Sequence, residues 1–186
     1  MAADALFAVP VSPDACRSAF EAIPHLSKLS DDDCAALAPL LHQREFAAGS
    51  TLFYEDDDAG AAYFLVSGAI EIFKSNSDGK KLPLVVLRGS GVLGEIGLLL
   101  SDHRTATART LGAAQVLELS REAFEAALAK GDLAAYRLSV AIARILAQRL
   151  ALTNEKMFAA FQSDVSDTVQ KQLSELQAHL ASRWTE

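Results

Sequence analysis

The spacing of apolar and polar residues divides the chain into three textures. Over Pro13 to Ile23, Cys16, Phe20 and Ile23 recur at four- and three-residue steps with Ala19 beside them, a narrow helical stripe. Ser30 then reads as the N-cap of a second helix, with Asp31, Asp32 and Asp33 in its first turn, where free N–H groups favour negative charge. From Gly49 to about Ser120 the pattern changes to short β-like runs: Thr51 to Tyr54, Ala62 to Val66, Ala69 to Phe73, Leu82 to Leu87, Thr105 to Thr110 and Ala114 to Leu119. The breaks between them carry Gly60, Ser67-Gly68, Asn76 to Gly79, Gly89 to Gly91 and Leu111-Gly112, and Asp78-Gly79 marks a hairpin tip. Strands this short and this evenly spaced predict a small antiparallel roll. Beyond Ser120 the period is helical again. A short helix over Arg121 to Lys130 ends at Gly131, and a longer one starts at Asp132. Along it Leu138, Ile142, Ile145, Leu146, Leu150, Met157 and Phe161 share one broad face, wide enough for the roll and for a second subunit. After a polar break at Gln162-Ser163-Asp164, Val165, Val169, Leu173, Leu176, Leu180 and Trp184 form a last apolar stripe.

The expected fold is therefore α+β: an antiparallel β-roll flanked by N-terminal helices and a long C-terminal helix. Its divisions are N-terminal helices over 1–48, the roll over 49–120, C-terminal helices over 121–161 and a terminal amphipathic helix over 162–186. Composition narrows what such a chain does. The 186 residues are 51% hydrophobic and carry a formal charge of −7 with two cysteines. The acidic balance argues against a chain built to grip phosphate backbones. Two cysteines make no disulfide framework, and their spacing fits no zinc or iron–sulfur set. Met1 to Ala5 lacks a signal peptide's basic start, and no apolar run reaches membrane-span length. A soluble, cytoplasmic protein is expected.

The chemistry concentrates in one connection inside the roll, Gly94 to Ala106. Gly94 permits unusual backbone angles and close approach of a ligand. A helical turn starting at Glu95 would present outward N–H groups, a ready anion site. Arg104 can close that site with a bidentate clamp on a phosphate. Glu95 suits the same site as an acceptor for a ribose hydroxyl. The triple Asp at 31–33 lacks the alternate spacing, Gly and distal Glu of a calcium loop, so it reads as helix capping.

Gly94-Glu95-Ile96-Gly97-Leu98 followed by Arg104-Thr105-Ala106 resembles the phosphate-binding cassette of the cyclic nucleotide-binding domain family, in particular the sensor of bacterial catabolite activators of the CRP/FNR type. The likeness extends back through Gly49 to Leu52, Tyr63 to Gly68 and Asp78-Gly79, and forward to Arg149 to Lys156, which resembles the dimer helix. It implies that Glu95 accepts from the ribose 2′-hydroxyl and that the Gly97 and Leu98 amides, with Arg104, hold the exocyclic phosphate oxygens. Thr105 would add a hydroxyl near the phosphate and keeps cyclic GMP open beside cyclic AMP. Thr153 and Asn154 match the helix positions that reach the purine. The resemblance departs at Glu55 to Asp58, at Ser90-Gly91 and at His103, where the family often carries proline. Thr153 has a second reading from the residues themselves, a hydroxyl bonded back to its own helix.

Two classes of function are weighed. A regulatory sensor without catalysis binds a cyclic mononucleotide, cyclic AMP first, cyclic GMP second and cyclic di-GMP third, needs no cofactor or metal, forms a homodimer and reaches an output protein through its C-terminal helices. A cupin-like enzyme would need several His converging in the barrel, and none lies in the six runs above. Nor does either Cys neighbour a His, so the expectation is that the chain is not an enzyme. Asp164 to Leu176 resembles the hinge and first helix that follow such sensors. Because Glu186 leaves little room for a recognition helix and the tail is not basic, the expectation is a stand-alone sensor without direct nucleic-acid contact. The alternative is the sensor portion of a CRP/FNR-type transcription factor.

Overall fold

The computed structural model describes residues 9–76, 78–100 and 103–164, together with 174, 176 and 177, which are helical. The rest of the expected terminal helix, and the start Met1 to Ala5, lie outside the described residues. In chain order the elements are β1 (Val9–Pro10), α1 (Pro13–Glu21), a 3-10 turn (Leu26–Lys28), α2 (Asp31–Leu37), a second 3-10 turn (Ala38–Leu40), β2 (Leu41–Phe46) and β3 (Thr51–Phe53). There follow β4 (Ala61–Ser67), β5 (Ala69–Ser75), β6 (Lys81–Arg88), β7 (Gly91–Leu93) and α3 (Glu95–Leu99). Then come β8 (Thr107–Thr110), β9 (Ala114–Ser120), α4 (Arg121–Ala129) and α5 (Leu133–Asp164).

The strands form two antiparallel sheets, one in the order β1-β2-β9-β4-β7 and one in the order β3-β8-β5-β6. Residues of both sheets meet in one core, with Phe46, Leu65, Leu93 and Val116 from the first against Leu52, Phe53, Ile70 and Ala108 from the second. This is the expected β-roll. Its hairpin lies where Asp78-Gly79 placed it: β5 pairs with β6 up to Ser75 opposite Lys81, and Gly79 takes φ +74° while its N–H donates to Asn76 O.

The N-terminal segment departs from the expectation of helices alone, because β1 and β2 lie within it. β2 reads Leu-His-Gln-Arg-Glu-Phe, and its ends are buried while its middle is not. Such a pattern carries no alternating signal. The strand exists because it finds β9, with Leu41 opposite Leu119 and Phe46 opposite Ala114, and because Arg44 pairs with Glu118 across the ladder at 3.2 Å. β8 begins two residues later than expected, since Arg104 N donates to Asp57 O and Asp56 N to Arg104 O, tying this stretch to the β3–β4 loop. Gln162 to Asp164, expected as a polar break, are helical and are the last described residues of α5. Polar residues without Gly or Pro lower helix propensity only slightly.

The chain divides into two compact units, Met1–Ile145 and Leu146–Glu186. In the first, the opening turns of α5 bury Ala134, Ala135, Leu138, Ala141, Ile142 and Ile145. Asp132 Oδ1 starts that helix by accepting from the Ala134 and Ala135 amides. In the second, Leu150, Leu152, Met157, Phe158 and Phe161 are exposed.

The first unit is braced by Asp33. Ser30 Oγ accepts from Asp33 N at 3.1 Å and Ser30 N donates to Asp33 Oδ2 at 2.9 Å, a reciprocal capping box. Arg137 Nη1 from α5 donates to the other carboxylate oxygen at 2.7 Å. Burial alone would raise this carboxyl's pKa; the Ser30 amide and hydroxyl and Arg137 outweigh it and hold it below the usual 3.8. A lowered folded-state pKa stabilises the fold fully above the unfolded value, and that stabilisation is lost as pH falls through the folded value. Asp33→Ala is expected to cost about 1–2 kcal/mol in urea unfolding at neutral pH. The deficit should shrink as unfolding is repeated at pH values falling below 3.8.

Candidate functional site

The Gly94 to Ala106 connection follows β7 and precedes β8, and the structure folds its first half into α3. Gly94 is the N-cap at φ +73°, a left-handed angle that favours glycine. Space demands glycine as well: a Cβ there would lie 2.5 Å from Arg104 Nη1 and 3.1 Å from Ala61 O. With α3 starting at Glu95, the amides of Gly94 to Gly97 lie outside the intrahelical ladder. The Leu98 amide is the first the ladder takes up. Of the two amides expected on a phosphate, this geometry therefore favours Gly97.

Arg104 is 5% exposed and Glu95 4%, so the two charged residues expected to define the site are among the buried ones. Arg104 Nη1 donates to Ala61 O at 2.7 Å and to Gly94 O at 3.4 Å. The guanidinium carbon lies 4.1 Å from the centroid of the Phe53 ring and 5.7 Å from that of Tyr63, two rings that are themselves stacked. Cation–π contact of this kind offsets part of the cost of burial. Among the described residues Arg104 has no carboxylate within ion-pair distance. Its Nε–H is buried without a hydrogen-bond partner. Burial pushes its pKa below the ordinary arginine value; Tyr63 opposes that push and Arg121 adds to it. A guanidinium stays charged through such a shift. A buried charge held by carbonyls and rings, with a donor left over, is costly, and an anion is the partner that would offset that cost.

The remaining expected site residues are placed as follows. Ile96 is half-buried, Leu98 and Ala106 are buried, and Thr105, next to Arg104, is exposed. Gly97 packs so tightly on Ala59 that an added Cβ would overlap the Ala59 Cβ. Thr153 and Asn154 are exposed on α5 within the second unit. The Thr153 hydroxyl donates to Arg149 O at 2.8 Å, the back-bonded arrangement its sequence position left open. Ser101 and Asp102, inside the cassette, lie outside the described residues.

Three participants escaped the sequence analysis. Phe53 and Tyr63 fall within two of the expected strand runs and are core residues, but they also carry the Arg104 guanidinium. Arg121, the first residue of α4, donates through Nη2 to Gly97 O. A signal for it exists: an arginine in a helix's first turn faces that helix's positive end and needs a reason to be there. A groove of about 240 Å³, lined by Ala15, Ser18, Gln43, Val66, Ser90 and Gln115 among others, shares no residue with the cassette.

Residues 43–131 match the cyclic nucleotide-binding domain family. A CRP-like cAMP-activated global transcriptional regulator of Mycobacterium tuberculosis is 29% identical over 142 residues, covering 76% of this chain and 62% of its own length. The chain thus spans about three fifths of the length of that curated relative. The crystal structure of the N-terminal domain of a Streptomyces coelicolor transcriptional regulator superposes with a TM-score of 0.60 at 28% identity, covering 75% of this chain and 94% of that one. The c-di-GMP-responsive global regulator CLP of Xanthomonas campestris superposes with a TM-score of 0.58 at 27% identity, over 74% of this chain and 67% of that one.

The Gly97–Ala59 contact provides a test that needs no ligand. Gly97→Ala is expected to lower stability by about 1–3 kcal/mol, the usual cost of overpacking. Adding Ala59→Gly should recover most of it in thermal unfolding, because it removes the atom that the new methyl meets.

Proposed function

We propose, on the premise that residues 43–131 form a domain of the cyclic nucleotide-binding family, that this chain is a regulatory sensor of a cyclic purine mononucleotide and performs no catalysis. The observation that carries the proposal is Arg104: a buried guanidinium beside the start of α3, with a donor unused and, among the described residues, no carboxylate within ion-pair distance. A cyclic phosphate supplies the missing negative charge. Its oxygens would take Arg104 and the amides at the start of α3, with the exposed Thr105 hydroxyl beside them. Glu95 would accept from the ribose 2′-hydroxyl, which a 3′,5′-cyclic phosphate leaves unesterified. Gly94 and Gly97 serve by being small, Ile96, Leu98 and Ala106 by shaping the walls. The purine contact of Thr153 and Asn154 stays what the resemblance implies; the Thr153 hydroxyl itself donates to Arg149 O.

Cyclic AMP is the first choice, the nucleotide that the Mycobacterium relative's own name carries. Cyclic GMP follows because a threonine at 105 suits it, and cyclic di-GMP, to which the Xanthomonas regulator responds, comes third. The ligand would act by preferring one arrangement of the helices over another, and it shifts that balance only by its difference in affinity for the two. We assign the protein to the cytoplasm and to a homodimer. The dimer assignment rests on the row of exposed apolar side chains, Leu150, Met157, Phe158 and Phe161, on α5. An output protein would then be met through the C-terminal helices. A second reading, the sensor portion of a CRP/FNR-type transcription factor, is favoured by the relatives, which are transcriptional regulators longer than the matched region.

Calorimetric titration of the folded protein with the three nucleotides tests the proposal directly: heat is expected with cyclic AMP, and silence with all three would sink it. Arg104→Ala should weaken binding by about 1.5–3 kcal/mol, the range for a hydrogen bond from a charged group. Unchanged affinity would remove Arg104 from the site. In sedimentation the chain should run as a dimer, and a monomer mass across a broad concentration range counts against the α5 seam.

A further inference from the structure

The helix at the centre of the site has a second end, for which nucleotide binding gives no account. α3 is five residues long. Isolated helices below about 12–15 residues are marginal in water, so what surrounds α3 must fix its orientation. At its C-terminal end Leu100 N donates to Ile96 O at 2.9 Å. The next carbonyl, Gly97 O, accepts from Arg121 Nη2. That guanidinium arrives from α4, a separate element 24 residues further along the chain.

The root of α4 is itself well fixed. Ser120 Oγ caps it by accepting from Ala123 N at 3.1 Å, Arg121 N donates to Gly60 O at 2.8 Å, and Phe124 is buried in the core. Positive charge at the start of α4 opposes the dipole of that helix, yet the same charge at the carbonyl end of α3 is favourable. Gly60 adjoins Ala59, the residue on which Gly97 packs. Arg121 and Ala59 therefore hold α3 at the same residue, one by hydrogen bond and the other by contact. The Arg121 charge is also felt at Arg104, whose protonated form it disfavours.

We propose that Arg121 is a positioning residue for the anion site: it caps α3 from the root of α4, fixes the direction in which the α3 amides face a bound phosphate, and carries a change at α3 into α4. This inference rests on the cyclic nucleotide reading. An anion between Arg104 and the α3 amides screens the repulsion between the two arginines and strengthens the hold of Arg121 on Gly97 O. By linkage, the same coupling makes that hold favour the anion. Movement of α3 then has a direct path to the first residue of a helix outside the roll, without passing through the sheets.

The test uses the full chain with cyclic AMP as the probe, in calorimetry and in hydrogen–deuterium exchange read by mass spectrometry. Arg121→Ala is expected to weaken cyclic AMP binding about tenfold, the loss of one hydrogen bond from a charged group. Arg121→Lys, which keeps a cationic donor, should come back to within about threefold of the unmodified chain. In the unmodified chain cyclic AMP should slow exchange across 121–129 as well as 94–100 and leave 41–46 unchanged. In Arg121→Ala the slowing at 94–100 should persist while that at 121–129 disappears, a separation that a merely structural arginine would not produce. Equal affinity of Arg121→Ala and the unmodified chain overturns the proposal, and so does absence of slowing at 121–129 in the unmodified chain. That second measurement decides even if Arg121→Ala fails to fold. If the unmodified chain binds no cyclic AMP, cyclic GMP or cyclic di-GMP, the nucleotide reading fails first; binding to it with no effect of Arg121 refutes this inference alone.

Discussion

Much of the site's architecture answers to one buried charge. Arg104 lies beneath the surface with carbonyl oxygens and aromatic faces around it, an arrangement that among the described residues leaves its positive charge without a carboxylate. Several local choices follow from accommodating it. Gly94 must be glycine because a side chain there would occupy the guanidinium's place. The Ala61 carbonyl, at the start of β4, accepts its strongest hydrogen bond, and Phe53 and Tyr63 form the platform on which the guanidinium lies. The backbone of Arg104 is bridged in both directions to the Asp56-Asp57 turn, which delays the start of β8.

The functional logic follows from the same imbalance. A protein that buries a cation without an anion gives up stability unless something else completes the pair. A ligand that completes it binds where the fold is least content with itself. The short α3 has the same dependence: too small to be stable alone, it takes its orientation from neighbours at both of its ends. Asp33 and Arg137 show the contrasting case, a buried carboxylate whose partners all come from the chain and whose effect is stability.

Legibility in the sequence varied with the range of the interaction. The roll's central strands alternate or run apolar between glycine-bearing turns, so their positions were readable to within a residue or two; the hairpin at Asp78-Gly79 and the N-cap Ser30 were equally open, since each needs only its near neighbours. The cassette residues were recognisable because their order along the chain carries the resemblance. β2 was not legible: its middle is polar, and it becomes a strand through β9, which lies far along the chain. At Gln162 to Asp164 the opposite holds: three polar residues resemble a helix break, yet without Gly or Pro they remain helical. Arg121 was legible only as the start of a short helix, and its contact with Gly97 O was not.

The sequence by itself determined the class of fold and put Glu95 and Arg104, the two charged residues expected at an anion site, in one connection of the roll. Caps, turns and glycine angles depend on a few adjacent residues, and a linear pattern records them. Only the tertiary structure decided that the Arg104 guanidinium would rest on Phe53 with its amino group on a carbonyl 43 residues away. The same holds for the guanidinium of Arg121, which closes the far end of α3. The energy of a charge depends on everything packed around it, and that surrounding is assembled from elements that no local pattern brings together.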